Sequence, residues 1–225
     1  MKVAVVTPYY KEPEGVLQRC IDSVAAQTYK DVFHVLVSDG QPSVVTEHTI
    51  LSPNCADSGD TPRLMGAGYA ASQGAEAILL LDADCWLDPD HIRLMVDALL
   101  LSGAGIVTCP RKVYDKFTDE YLGVDAESDG INFNDTNCIL VTNKHFDVFS
   151  SWGFKPNGQG LIGDRYFWNA CLRCGAKIAR TAFTMSNYPS DLAFHYEMFG
   201  KPVPDGAKVI EFDGSKYIYK RKGAM

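Results

Sequence analysis

The sequence runs to 225 residues, enough for one substantial core, and its 46% hydrophobic and 22% charged content is that of an ordinary globular chain. A formal charge of −7 excludes a general electrostatic pull towards nucleic acid or an anionic lipid surface, so any phosphate-bearing ligand must be met by a local basic pocket. Seven scattered cysteines, an odd number with several inside apolar runs, argue against a disulfide framework and for a reducing, cytoplasmic setting.

Val3 to Val6 is a continuous apolar run ended by Thr7-Pro8 and predicts a buried parallel strand. Val16, Leu17, Cys20, Ile21 and Val24 recur at helical spacing after the start signal Pro13. Val32 to Val37 predicts a second buried strand, closing at Ser38-Asp39-Gly40. A helical stretch of small residues from Met65 to Gly74 leads into the most hydrophobic run, Ala77 to Leu81, which stops at Asp82-Ala83-Asp84. Asp88-Pro89 starts a helix through about Leu101, and Gly105 to Cys109 predicts the next strand. Strand and helix thus alternate through the first half, as in a doubly wound α/β sheet.

The second half is less regular. Asn137 to Thr142 and Ala176 to Phe183 predict strands, Lys144 to Ser150 a short helix, Asp164 to Cys174 a longer one and Lys216 to Lys220 a late edge strand. The lone C-x-x-C of Cys171 and Cys174 falls within that longer helix and fits packed thiols better than zinc. Between the helices, Gly153 to Gly163 has the composition of a loop, flanked by Trp152 and Phe154. It is either a closing lid, with those aromatics stacking on a sugar, or inert surface. Repeats, linkers and apolar runs of the about 18 residues needed to span a membrane are all missing, and the N-terminus carries no cleavage signal, so one domain over 1–225 is expected.

The chemistry concentrates at Asp82-Ala83-Asp84. Two carboxylates just past the carboxyl end of a buried strand stand where open α/β sheets bind ligands. Their hard oxygens suit Mg²⁺ or Mn²⁺ bridging a diphosphate; the bland alternative is a capping pair facing water.

Four segments in order resemble family 2 glycosyltransferases of the GT-A fold. They are Val5-Val6-Thr7-Pro8-Tyr9-Tyr10-Lys11-Glu12 with its following helix, Val35-Leu36-Val37-Ser38-Asp39-Gly40, Asp82-Ala83-Asp84, and Gly158…Gly163-Asp164 heading a helix that ends Cys174-Gly175-Ala176-Lys177-Ile178. The resemblance implies one Rossmann-like GT-A domain with a mainly parallel central sheet flanked by helices. About 1–110 would form the nucleotide-sugar and metal half, and about 111–225 the acceptor and catalytic-base half. It implies an inverting transfer from a nucleotide sugar, a UDP-sugar first and a guanine or thymine donor as alternatives, aided by Mn²⁺ or Mg²⁺. The acceptor would be a glycan, a lipid-linked sugar or a small molecule, with peripheral membrane contact open.

Residue by residue, the resemblance implies Thr7, Pro8 and Tyr9 as the floor of the base site, with Glu12 and Asp39 on the ribose or base. Tyr9 is otherwise a packed strand end, and Asp39 otherwise a turn residue. Asp84 would be the direct metal ligand, with Asp82 supporting it or touching the ribose, and His195 the third ligand. A lone histidine between aromatics also reads as a core residue. Asp164 would be the general base, or else a helix N-cap. The chain departs from the family in two places. Gly163 precedes Asp164 where many members read Glu-Asp, and Arg63 is the arginine available for the donor phosphates. The rival functions are a sugar nucleotidyltransferase, disfavoured because no glycine follows the first strand until Gly15, an aspartyl-nucleophile phosphatase, and a binding module without catalysis.

Overall fold

A computed structural model describes residues 1–41, 49–155 and 160–223. Its elements run β1 (Val3–Tyr9), α1 (Glu14–Ala25), β2 (Val32–Asp39), β3 (Thr49–Ser52), α2 (Asp60–Ser72), β4 (Ala77–Leu80), β5 (Trp86–Leu87), α3 (His91–Ser102) and β6 (Ile106–Thr108). They continue β7 (Arg111–Asp115), β8 (Tyr121–Val124), β9 (Ile139–Thr142), α4 (Gly163–Arg173), β10 (Ile178–Arg180), β11 (Ser186–Ser190), α5 (Ala193–Met198), β12 (Lys208–Phe212) and β13 (Tyr217–Arg221).

Among the described residues the main sheet has seven strands in the order β10-β6-β9-β4-β1-β2-β3, parallel except for β9. Strand alternation divides the apolar runs between two cores. Val3, Val5, Leu79 and Leu81 pack with Cys20 and Val24 of α1 and Ile92, Met95 and Leu99 of α3. Ala4, Val6, Ile78 and Leu80 pack on the other face with Ala67 and Ala70 of α2 and Phe167, Trp168 and Cys171 of α4. Burial on both faces is why these strands read as unbroken apolar runs. Cys171 is a packed thiol, and Cys174 turns its Sγ to the Cys171 carbonyl oxygen at 3.2 Å.

A four-stranded sheet, β5-β11-β7-β8, and the antiparallel hairpin β12-β13 complete the described structure. Residues such as Arg111, Ser186 and Asn187 build that smaller sheet, and no apolar pattern announced it. The strand expected over Ala176 to Phe183 shortens to β10 at the sheet edge. Helix α2 starts five residues ahead of its apolar pattern, because Asp57 caps it through the N–H groups of Asp60 and Thr61, both at 3.0 Å. Gly66 lets α2 lie close on the sheet: a Cβ there would stand 2.4 Å from Val6 Cγ1 and 2.8 Å from Val37 Cγ2. No helix of the described residues is long and apolar enough to cross a membrane.

One register detail creates the cleft. β1 continues past the expected stop at Thr7-Pro8 and stays paired with β2 up to Tyr9, whereas its ladder with β4 ends at Val6 and Leu80. Beyond that point the strands part. Pro8, which has no N–H to donate, sits where β1 keeps a neighbour on one side only.

Candidate active site

The cleft at the carboxyl ends of β1, β2 and β4 has a volume of about 570 Å³ and is walled by Pro8, Tyr9, Glu12, Asp39, Arg63, Asp82 and Asp84. Seven of the residues singled out in the sequence therefore meet in one place. Thr7 does not reach it: its hydroxyl is buried against His34 Nε2 at 2.8 Å. Tyr9 borders the cleft, but its ring is packed among Leu17, Leu36 and Ala83 and is 5% exposed. The exposed aromatic is its neighbour Tyr10, one residue past the end of β1, with Lys11 Nζ over its ring at 5.1 Å. Asp39 is both turn and wall, accepting the Cys55 N–H at 2.8 Å while Gly40 takes a left-handed φ of 76°.

Each carboxylate of the Asp-Ala-Asp motif is met by a cation. Arg63 Nη2 lies 2.5 Å from Asp82 Oδ1, and Lys116 Nζ lies 2.7 Å from Asp84 Oδ2. Asn137 clasps Asp82 twice, accepting its N–H at 2.5 Å and donating to Oδ2 at 3.2 Å. Burial alone would raise the Asp82 carboxyl, but Arg63, Asn137 and Arg111 together hold it below the ordinary range. Glu12 shifts the other way, raised by burial and by the charges of Asp84 and Asp82. Hard oxygen donors on Asp82 and Asp84 fit Mg²⁺ or Mn²⁺ of the kind completed by substrate phosphates rather than by a protein cage. Among the described residues no cluster of three or more His, Cys, Asp and Glu side chains forms such a cage.

A second cleft of about 340 Å³ shares Ser58, Arg63, Asp82 and Tyr188 with the first and opens onto Asp164. Asp164 is not an N-cap. The helix starts at Gly163, and the Asp164 carboxylate in its first turn accepts the Arg165 N–H at 2.7 Å. Burial, helped by the charge of Asp135, pushes its carboxyl up to about 6. Gly163 is glycine for space rather than conformation: a Cβ would stand 2.8 Å from Trp152 Cζ3 and 3.0 Å from Asp60 Oδ1.

His195 is not brought to the aspartates. It is fully buried, with Nδ1 2.6 Å from Ser190 Oγ and Nε2 3.7 Å from Asp125 Oδ2. Burial lowers its proton affinity, against the pull of Asp125. It belongs to a buried cluster in which Arg111 binds Asp125 at 2.8 Å and also Asp135, while stacking over Tyr188 at 4.0 Å. An expected third metal ligand is thus a core histidine, because the chain around it closes on Asp125. Trp152 is corrected likewise. Its ring is stacked on Phe167 and covered by the Arg63 guanidinium, so it offers no open face to a sugar. Phe154 is exposed, and residues 156–159 of the expected lid lie outside the described residues.

The family model "Glycosyl transferase family 2" matches residues 62–157, which hold Arg63, both motif aspartates, Lys116 and Asn137. That match covers less than half of the chain, and over it the chain is similar to the family 2 glycosyltransferases. It is 25% identical over 189 residues to the glucosyl-dolichyl phosphate glucuronosyltransferase of Haloferax volcanii, covering 74% of this chain and 59% of that protein. In fold it is similar to S. aureus TarS, with a TM-score of 0.65 at 12% identity over 88% of this chain and 38% of TarS. TarS 1-349 in complex with UDP-GlcNAc gives 0.62 at 12% identity, over 92% of this chain and 62% of that one. The chain therefore spans less than two thirds of these relatives.

Sequence reasoning missed Lys116, Asn137, Arg111 and Tyr188. Asn137 carried a faint signal, since Asn134-Asp135-Thr136-Asn137 is a polar run directly before an apolar strand. Lys116 carried none, because its partner lies 32 positions away.

Proposed function

We propose that this chain transfers a sugar from a nucleotide sugar, a UDP-sugar first among candidates, to an acceptor hydroxyl with inversion at the anomeric carbon. The observation that carries this reading is the shared wall of the two clefts: Arg63 and Asp82 border both the nucleotide-sized cleft and the one holding Asp164. A donor in the first would present its anomeric carbon towards an acceptor in the second. The TarS complexes with UDP and with UDP-GlcNAc support a uridine donor.

The chemistry follows from charge. The acceptor hydroxyl gives its proton to Asp164 as its oxygen forms the new bond to the anomeric carbon. The bond from that carbon to the diphosphate breaks on the opposite face, and its electron pair leaves with the nucleoside diphosphate. A carboxyl near 6 is ionised at neutral pH yet basic enough to accept that proton. Arg63 and Lys116 stand ready to meet the charge growing on the leaving group. Mg²⁺ or Mn²⁺, held by Asp84 and Asp82, would add to that stabilisation when bound. The acceptor would be a glycan, lipid-linked sugar or small molecule. Free thiols at all seven cysteines favour work in the cytoplasm.

The test is nucleoside-diphosphate release from UDP-, GDP- and dTDP-sugars with Mn²⁺, Mg²⁺ or chelator, for the native chain, Asp84→Ala and Asp164→Ala. Release from one donor, lost with Asp84→Ala, is expected. No release and no nucleotide binding by calorimetry would overturn the reading.

A further inference from the structure

The Asp164 cleft continues into a third hollow of about 670 Å³, and the two share Ser58, Asp60, Trp152, Leu161 and Tyr219. Both lie in the size range of small-molecule sites, about 300–1,000 Å³, and the outer one has roughly twice the volume of the inner.

The wall between them holds polar atoms that nothing satisfies. Asp60 is 3% exposed and its Oδ1 has no hydrogen-bond partner among the described residues, although its other oxygen is ion-paired with Lys155. Trp152 is 5% exposed and its Nε1–H is likewise without a partner there. An acceptor and a donor left unpaired at a buried site are costly, and each calls for an explanation, of which a bound ligand is one. A hydroxyl, able both to give and to accept a hydrogen bond, is suited to either of them.

The outer rim is aromatic. In the β12-β13 hairpin the pairs Ile210 with Tyr219 and Phe212 with Tyr217 share one face. All four are exposed, and Tyr217 and Tyr219 line the outer hollow. Phe212 braces Tyr217 at a ring separation of 5.3 Å, and Lys208 covers Tyr219 at 5.1 Å. Tyr219 also feels Asp164, whose charge adds to burial in raising its phenol.

Resting on the transferase reading, we infer that the outer hollow is a distal acceptor subsite and that the acceptor is a glycan of two or more sugar units. The reacting sugar would sit at Asp164. The next would hydrogen-bond Asp60 and Trp152 in the shared wall and lay an apolar ring face on Tyr217.

The probe is a glycan array running from monosaccharides to hexasaccharides, with UDP present, read for the native chain, Tyr217→Ala, Tyr217→Phe and Asp60→Asn. Binding to chains of two or more units, and not to the matching monosaccharides, is expected. Tyr217→Ala should weaken it roughly three- to tenfold while Tyr217→Phe leaves it intact, because the ring face is what is used. Asp60→Asn should weaken it too, with a lower thermal midpoint beside the loss because the substitution also breaks the buried pair with Lys155. Equal binding of monosaccharides, or no glycan binding at all, would overturn the inference. So would co-sedimentation with anionic vesicles that Tyr217→Ala abolishes, which would assign the hairpin to a lipid surface. Nucleoside-diphosphate release in the same preparations separates the two readings. If release persists without glycan binding, the subsite fails and the transferase stands; loss of both sinks the transferase as well.

Discussion

The strands β1, β2 and β4 and the strands β7 and β11 converge on one cleft but are buried by opposite means. The first group fills its space with Val, Leu and Ile, and its charges appear only where the strands end. The second buries Arg111, Asp125, Asp135 and His195 against one another. The apolar half sets the position of the carboxylates, and the polar half delivers the groups that hold them: Lys116 directly after β7, and Asn137, whose Nδ2 is bonded to Asp135 Oδ1 at 2.8 Å. A cleft assembled this way depends on a buried charge cluster as much as on a hydrophobic core.

The sharpest way to break the comparison is at the base. Asp164→Asn should lower kcat of transfer by about 10²- to 10⁴-fold while leaving nucleotide binding by calorimetry unchanged. On the proposed mechanism the base works ionised, and with the Asp164 carboxyl raised to about 6, native activity should fall as pH drops through about 6. That acid limb should be gone from the residual activity of the Asn variant, and an unchanged limb would reassign the base.

Stability separates the halves next. Arg111→Ala strands two buried carboxylates and should cost about 3–5 kcal/mol, whereas Leu79→Ala should cost about 2–5 kcal/mol through the cavity it leaves. Urea titrations at two pH values tell them apart. Without the arginine, Asp125 and Asp135 are stabilised by taking up protons, so the Arg111→Ala deficit should shrink as pH falls from 7.5 to 5. The Leu79→Ala deficit should stay level. Parallel behaviour would mean that the polar half is held by packing after all.

The smallest effect is expected at Lys116, whose ion pair with Asp84 is partly exposed. Lys116→Ala should change stability by no more than about 1 kcal/mol. It should nonetheless raise the donor KM roughly tenfold, through loss of a charged contact to the diphosphate. A KM unchanged within error would leave Lys116 as a surface cation.

This division also explains what was legible. Val3 to Val6, Val32 to Val37 and Ala77 to Leu81 announced themselves because strands buried on both faces must be apolar, and the carboxylates at their ends stood out by contrast. β7 and β11 stayed silent because their buried polar residues are held by partners in other segments, Arg111 by Asp125 and Asp135, Asn187 by Asp88 and Ser190 by His195, and such pairing has no period. His195 misled for the same reason. Its aromatic neighbours fitted a core residue and a ligand equally, and only the placement of Asp125 decided between them. Helix α2 was read late because its first turn is fixed by a cap, which leaves no apolar mark.

Gly66 lines none of the three clefts, yet it sets the height of the helix that carries both Asp60 and Arg63. A methyl group there would have to lift α2 off Val6 and Val37, and the guanidinium would rise away from Asp82 with it. The spacing between a backbone and two valines thus works as a gauge block, through which the interior of the sheet sets where Arg63 stands in the cleft.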